Sequence, residues 1–170
     1  MIGLERKLVR LIPYDPAWKG LFEQEKARLA QSIGHLVLDI QHVGSTAIPG
    51  GIAKPIVDIA IAIPNVKTLQ TCVPLLEGIG YRYKGENGIP GRHYFDKGKP
   101  ISLFHVHMSE KTHANWIKQI AFRDYLLVHP EAVKAYADLK TLLAEQYRTD
   151  REAYTEGKTE FIRSILESST

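Results

Sequence analysis

The stretch Gln41-His42-Val43-Gly44-Ser45-Thr46-Ala47-Ile48-Pro49-Gly50-Gly51-Ile52-Ala53-Lys54-Pro55-Ile56-Val57-Asp58-Ile59-Ala60-Ile61-Ala62-Ile63 decides the fold. It reads as strand, glycine-bearing loop, strand. Apolar residues run up to Gln41, and Gly44, Pro49, Gly50 and Gly51 interrupt regular structure. Pro55 to Ile63 is then a β-branched, nearly all-apolar run in which Asp58 is the one charge. A carboxylate inside a buried strand is costly unless a metal, a cation or hydrogen-bond donors compensate it. The Gly44-Ser45-Thr46 turn supplies donors with little side-chain obstruction, as a phosphate-holding turn does.

The chain of 170 residues reads most economically as one domain with a core that needs no staples. Lys and Arg number 22 against 19 Asp and Glu, a formal charge of +3. That mild excess suits an anionic ligand and falls well short of the basic stripe of a nucleic-acid binder. Cys72 is the sole cysteine, which excludes an internal disulfide and fits a reducing compartment. No cationic segment followed by an apolar run opens the chain, and no apolar run approaches membrane-spanning length. The expected location is the cytoplasm, with no membrane partner.

Working outward, Lys7 to Ile12 is expected to be a short strand. Asp15 and Pro16 should cap a helix from Ala17 to Ile33, stopped by Gly34. Leu36 to Gln41 is expected to be a strand leading into the opening loop. Pro64-Asn65 should turn the chain into a helix that runs to about Glu77, which Pro74 should shorten or kink. Strands are then expected at Tyr81 to Lys84, Tyr94 to Asp96 and Ile101 to Met108, with a glycine-rich loop from Gly85 to Arg92. Helices over His113 to His129, Glu131 to Arg148 and Glu156 to Glu167 complete the chain. The expected fold class is α/β (α+β): a mixed sheet over about residues 1–110 with flanking helices, then a three-helix unit over about 111–170.

Tyr14-Asp15-Pro16-x-Trp18, His42 to Gly50, Ala53 to Ile59 and Arg92-x-Tyr94-Phe95 carry a resemblance to the GrpB family of bacterial proteins, of the nucleotidyltransferase superfamily. The resemblance continues through His105-Val106-His107, Phe122 to Leu126, Tyr136-x-x-Leu139-Lys140 and Lys158-x-x-Phe161-Ile162. Gln41 and Gly51 stand where an acidic residue and Leu are expected. The resemblance implies a Gly-Ser turn that holds nucleotide phosphates and strand carboxylates that hold divalent metal. Similar domains are fused to dephospho-coenzyme A kinase, which implies a link to coenzyme A biosynthesis. Active superfamily members carry a second carboxylate two residues after the first; here that position is Ala60. Two-metal nucleotidyl transfer is thereby weakened.

Asp58 is the candidate catalytic residue; its bland alternative is a buried carboxylate taking backbone donors. His105 and His107 lie two apart on a strand, so both rings face one side. With Asp58 they form a candidate metal set, better suited to Zn²⁺ or Mn²⁺ than to Mg²⁺. The competing view is a hydrogen-bonded pair of sheet histidines. Gly44, Ser45, Thr46, Lys54, Arg92, Arg123, Lys140 and Lys158 are the candidate phosphate or ligand contacts. Lys140 and Lys158 sit on apolar helical stripes, where a lysine snorkels or meets an anion. Arg92 ends the glycine-rich loop and could swing onto an anion, whereas Arg123 has Asp124 beside it as an ordinary ion-pair partner. No hydrolase triad, Walker loop, dinucleotide fingerprint or zinc-finger spacing occurs.

Two functions therefore compete. One is a transferase-like enzyme that binds a nucleotide or phosphorylated small molecule and moves a nucleotidyl or phosphoryl group with metal assistance. The other is a non-catalytic ligand-binding or partner module that kept the pocket.

Overall fold

The apolar run around Asp58 becomes the strand on which the sheet is assembled. A computed structural model describes residues 1–5 and 8–170 of the chain. In chain order the elements are β1 (Leu4–Glu5), β2 (Ile12–Pro13), α1 (Ala17–Ile33), β3 (Asp39–Val43), β4 (Ile52–Ala53) and β5 (Val57–Ile63). There follow α2 (Lys67–Gly78), β6 (Tyr81–Tyr83), β7 (His93–Lys97), β8 (Ile101–Ser102) and β9 (Phe104–Glu110). The helices α3 (Ala114–Val128), α4 (Pro130–Gln146), α5 (Arg151–Glu156) and α6 (Thr159–Ser168) close the chain. Among the described residues, no helix is long and apolar enough to cross a membrane.

The five-stranded sheet has the order β3-β5-β9-β7-β6, with β5 and β9 parallel and the other neighbours antiparallel. Period-2 alternation sorts β5 between two layers. Val57, Ile59, Ile61 and Ile63 pack with Phe22, Leu29 and Ile33 of α1 and Leu69, Cys72 and Leu76 of α2. Ala60 and Ala62 pack on the other face with Val43 and Trp116 of α3. Asp58 shares that second face but lies at the start of β5, beside the cavity.

The helix expected at Ala17 is there, with the Asp15 carboxylate accepting from the Ala17 N–H at 3.0 Å. Three expectations need correction. Of the strand expected at Lys7 to Ile12, Lys7 lies outside the described residues, and Ile12 pairs only within the two-residue β2. Ile101 to Met108 is two strands, because β8 turns away to pair with β1 while β9 enters the main sheet. The C-terminal unit has four helices. Asp150 caps α5 by accepting from the Ala153 N–H at 3.0 Å, and the chain breaks at Gly157. A Cβ at Gly157 would come within 2.5 Å of the Leu143 side chain, so a larger residue there would make that leucine shift.

Beneath the sheet, Glu25 of α1 is 1% exposed. Its Oε1 accepts from Lys97 Nζ at 2.7 Å and from the Tyr81 hydroxyl at 2.8 Å. Removing one partner of a buried pair leaves the other unpaired at a cost of about 3–5 kcal/mol. Glu25→Ala is therefore expected to lower the unfolding free energy by about that amount in urea titration. A loss below about 1 kcal/mol would show the pair to be solvated.

Candidate functional site

Strand register brings the candidate residues together. Asp58 pairs with His105, and Ala60 with His107, in the parallel β5–β9 ladder. His107 pairs in turn with Tyr94 of β7. Across β3, Val43 pairs with Asp58, so the chain leaving β3 passes directly over the carboxylate. Gly44 does so at φ +71°, and a Cβ there would lie 2.8 Å from Asp58 Oδ2. This position needs glycine for both its backbone and its clearance. The neighbouring His42 shapes the turn. It stacks on Phe22 with centroids 4.7 Å apart and reaches Thr46 Oγ1 at 2.9 Å. Burial pushes His42 down to about 4, so it stays neutral at physiological pH.

Asp58 is the centre of a hydrogen-bonded cluster. His107 Nε2 lies 3.1 Å and His105 Nδ1 3.6 Å from its Oδ1. Burial alone would raise the Asp58 carboxyl, but the facing His105 and His107 rings, the latter through its hydrogen bond, outweigh it and hold the group well below the usual carboxylate range. Burial also holds His107 below its ordinary value, against the pull of Asp58. Arg92 settles the tautomer. Its guanidinium, which can only donate, lies 3.1 Å from His107 Nδ1. Nδ1 must therefore accept, and the neutral ring carries its proton on Nε2, where it donates to Asp58.

Asp58, His105 and His107 are the candidate metal set. They do share one face, but among the described residues no group of three or more His, Cys, Asp and Glu side chains is disposed to hold a metal ion. A ligating histidine offers a bare nitrogen to the metal and donates its other N–H to an acceptor. His107 has the opposite arrangement. Ala60, where a second carboxylate would stand, is fully buried against Val43 and Trp116.

Above this cluster lies a cavity of about 820 Å³ between the sheet mouth, the Gly44-Ser45-Thr46 turn and the C-terminal helices. Lys54, Lys140 and Lys158 all line it. Lys140 is 3% exposed; its Nζ donates to Ser45 Oγ at 3.0 Å and to the Ile52 carbonyl. Lys54 and Lys158 both approach the Tyr154 ring, at 5.2 and 4.7 Å from its centroid. Among the described residues neither ammonium group has a hydrogen-bond or ion-pair partner. Burial and neighbouring cations push Lys54 and Lys140 down to about 7. Burial, partly offset by Asp58, leaves Lys158 at about 8. Three ammonium groups in one recess need anions; Asp58 supplies a single charge at the floor, and Glu152 and Glu156 stand on the exposed α5 wall.

Two expected contacts are placed differently. Arg123 does not line the cavity; it donates to Gln41 Oε1 at 2.8 Å and to the His42 carbonyl at 2.9 Å, and pairs with Asp124. It ties α3 to β3. Arg92 does line the cavity but is 5% exposed and donates to the Glu86 and Asn87 carbonyls as well as to His107. It braces its own loop and has no free swing. Tyr94, Tyr136, Arg151 and Tyr154 line the cavity without having been singled out. Tyr136 enters the sequence only as a motif position, and Arg151 and Tyr154 belong to α5, a helix too short for a periodic signal.

The chain matches the family described as GrpB protein over residues 8–168. It belongs to the GrpB family. The UPF0157 protein YqkA of Bacillus subtilis is 38% identical over 96% of this chain, which spans 48% of that relative's length. The crystal structure of GrpB from Enterococcus faecalis superposes with a TM-score of 0.87 at 33% identity, covering 94% of this chain and 96% of that one. A structure of the GLD-2/RNP-8 complex, 12% identical, gives a TM-score of 0.58 over 91% of this chain and 51% of its own, a likeness of fold alone. The GrpB fold here is a nucleotidyltransferase-like mixed sheet.

Gly44→Ala is expected to cost about 1–3 kcal/mol through its positive φ, and more where the added carbon meets Asp58. In an Asp58→Ala background the added cost should shrink, leaving the backbone part. Equal costs in the two backgrounds, measured by urea unfolding, would show that the turn does not bear on the carboxylate.

Proposed function

We propose that this protein binds a nucleotide or another phosphorylated small molecule in the cavity above Asp58. The observation that carries the reading is the convergence of Lys54, Lys140 and Lys158 on one recess with the Gly44-Ser45-Thr46 turn, two of the lysines lacking anionic partners. In this reading the turn and Lys140 hold one phosphate. Lys54 and Lys158 neutralise further charge, and the Tyr154 ring offers a face to a base or other flat group. The protonation of His107 and the burial of Ala60 favour a binding protein over metal-assisted transfer.

The test is a thermal-shift and calorimetric screen of nucleoside mono-, di- and triphosphates, with coenzyme A included for the link that the family resemblance implies. A ligand that binds the native state raises the apparent Tm. No shift with any phosphorylated compound at millimolar concentration would end the proposal.

Charge-assisted contacts contribute about 1.5–3 kcal/mol each, so Lys140→Met and Lys158→Met should each weaken a phosphate-bearing hit by roughly ten- to a hundredfold. The matching neutral nucleoside should bind both variants as it binds the wild type. Unchanged affinity for the phosphate would make these lysines packing residues.

The pH dependence has a defined sign. The folded lysines lie at about 7 to 8 against an ordinary value of 10.5, so between these values the unfolded chain holds more protons. Stability of the ligand-free protein should therefore rise from about pH 7 towards pH 10. Anion binding runs the other way: it favours charged lysines, takes up protons and should weaken from about pH 7 to pH 9. Calorimetry in buffers of different ionisation enthalpy checks the uptake.

A further inference from the structure

We infer that this pocket takes its phosphorylated ligand without a divalent cation, Lys54, Lys140 and Lys158 neutralising the phosphates while Arg92 and Ala60 deny a metal its ligands. The inference rests on the reading of the cavity as a phosphate site and adds how the charge is met.

The first argument is the donor set. A divalent ion held beside phosphates draws on one or two protein carboxylates with ideal access. Asp58 is the carboxylate at the floor of the cavity, and its Oδ1 is engaged by His107. The position two residues on is Ala60, sealed under Trp116 in register with His107. Glu152 and Glu156 also line the cavity, but on its exposed α5 wall.

The second argument is the direction of hydrogen bonds. For His107 Nε2 to bind a cation, its proton must move to Nδ1, which faces an Arg92 N–H at 3.1 Å. Two donors would then oppose each other in a buried site, a cost of about 1–3 kcal/mol or more. Arg92 is not free to withdraw. Its other nitrogens are fixed on the Glu86 and Asn87 carbonyls, and its guanidinium carbon lies 5.2 Å from the Tyr94 ring centroid. The loop from Gly85 to Arg92 thus holds the histidine in the state that excludes a metal.

The third argument is charge. Lys54, Lys140, Lys158, Arg92 and Arg151 against Asp58, Glu152 and Glu156 leave the lining two positive charges in excess when the lysines are protonated (five minus three). A further divalent cation would add repulsion where the phosphates are already matched. The ligand class is accordingly a polyphosphate ester, or another compound carrying at least two phosphate charges, in its metal-free form.

Calorimetry with ATP and with inorganic tripolyphosphate, each in EDTA and in excess Mg²⁺ or Mn²⁺, tests this. The expected result is binding in EDTA at an affinity equal to or above that with metal, within about threefold. Binding in metal at least about tenfold tighter than in EDTA overturns the inference and leaves the phosphate reading intact. Failure of both probes under both conditions overturns the phosphate reading and the inference with it. Titration of Zn²⁺ and Mn²⁺ alone supplies an arm independent of any phosphate ligand. The wild type should take up neither at micromolar concentration, whereas Arg92→Met, verified as folded by circular dichroism, should gain Zn²⁺ affinity at least about tenfold by releasing His107 Nδ1. Micromolar binding to the wild type that is lost in His107→Ala overturns the inference whether or not the Arg92 variant folds.

Discussion

The constraint on which the structure depends is one carboxylate on an otherwise apolar strand. Asp58 cannot sit half-buried without donors, and the architecture answers with parallel register: β9 places His105 and His107 on its face, β7 adds Tyr94, and the loop before β7 adds Arg92 behind them. The same carboxylate dictates the glycine at position 44, since the turn from β3 crosses at a distance that no side chain tolerates. Sheet order, turn composition and the histidine pair are three consequences of a single electrostatic requirement.

The second half of the chain reverses the sign of the problem. The C-terminal helices bring three lysines into a recess whose polar floor is already satisfied, and burial penalises their charge. Lys140 finds partial relief in Ser45 Oγ and a backbone carbonyl; Lys54 and Lys158 find only the Tyr154 ring. A protein selected for stability alone would not gather three ammonium groups this way. The arrangement is of the kind that strained, ligand-ready sites show, where the missing counter-charge comes with the ligand.

Fold likeness and chemistry part company in this molecule. The sheet is nucleotidyltransferase-like, and the family is GrpB. Yet activity resides in the site rather than the fold. In this site a second carboxylate is replaced by a packed alanine, and a candidate ligand is protonated at the nitrogen a metal would need.

Much of this was legible in the linear sequence. The alternation of residues 57 to 63, the Gly44-Ser45-Thr46 break and the spacing of His105 and His107 are local, and strand periodicity alone assigns their faces. The apolar stripe of α4 likewise marked Lys140 as a buried cation before any contact was known. What the sequence could not encode locally were the partners. Lys140 meets Ser45 across 95 residues, Arg123 reaches Gln41 across 82, and both pairings exist only because the helices fold back over the sheet. The extra helix at Arg151 to Glu156 is six residues long, too short to carry a periodic signature. The proton position on His107 is set by an arginine whose reach depends on the path of its loop. Periodicity determines which face a side chain takes; only tertiary packing decides whom it meets there, and hydrogen-bond direction then decides what chemistry is left to it.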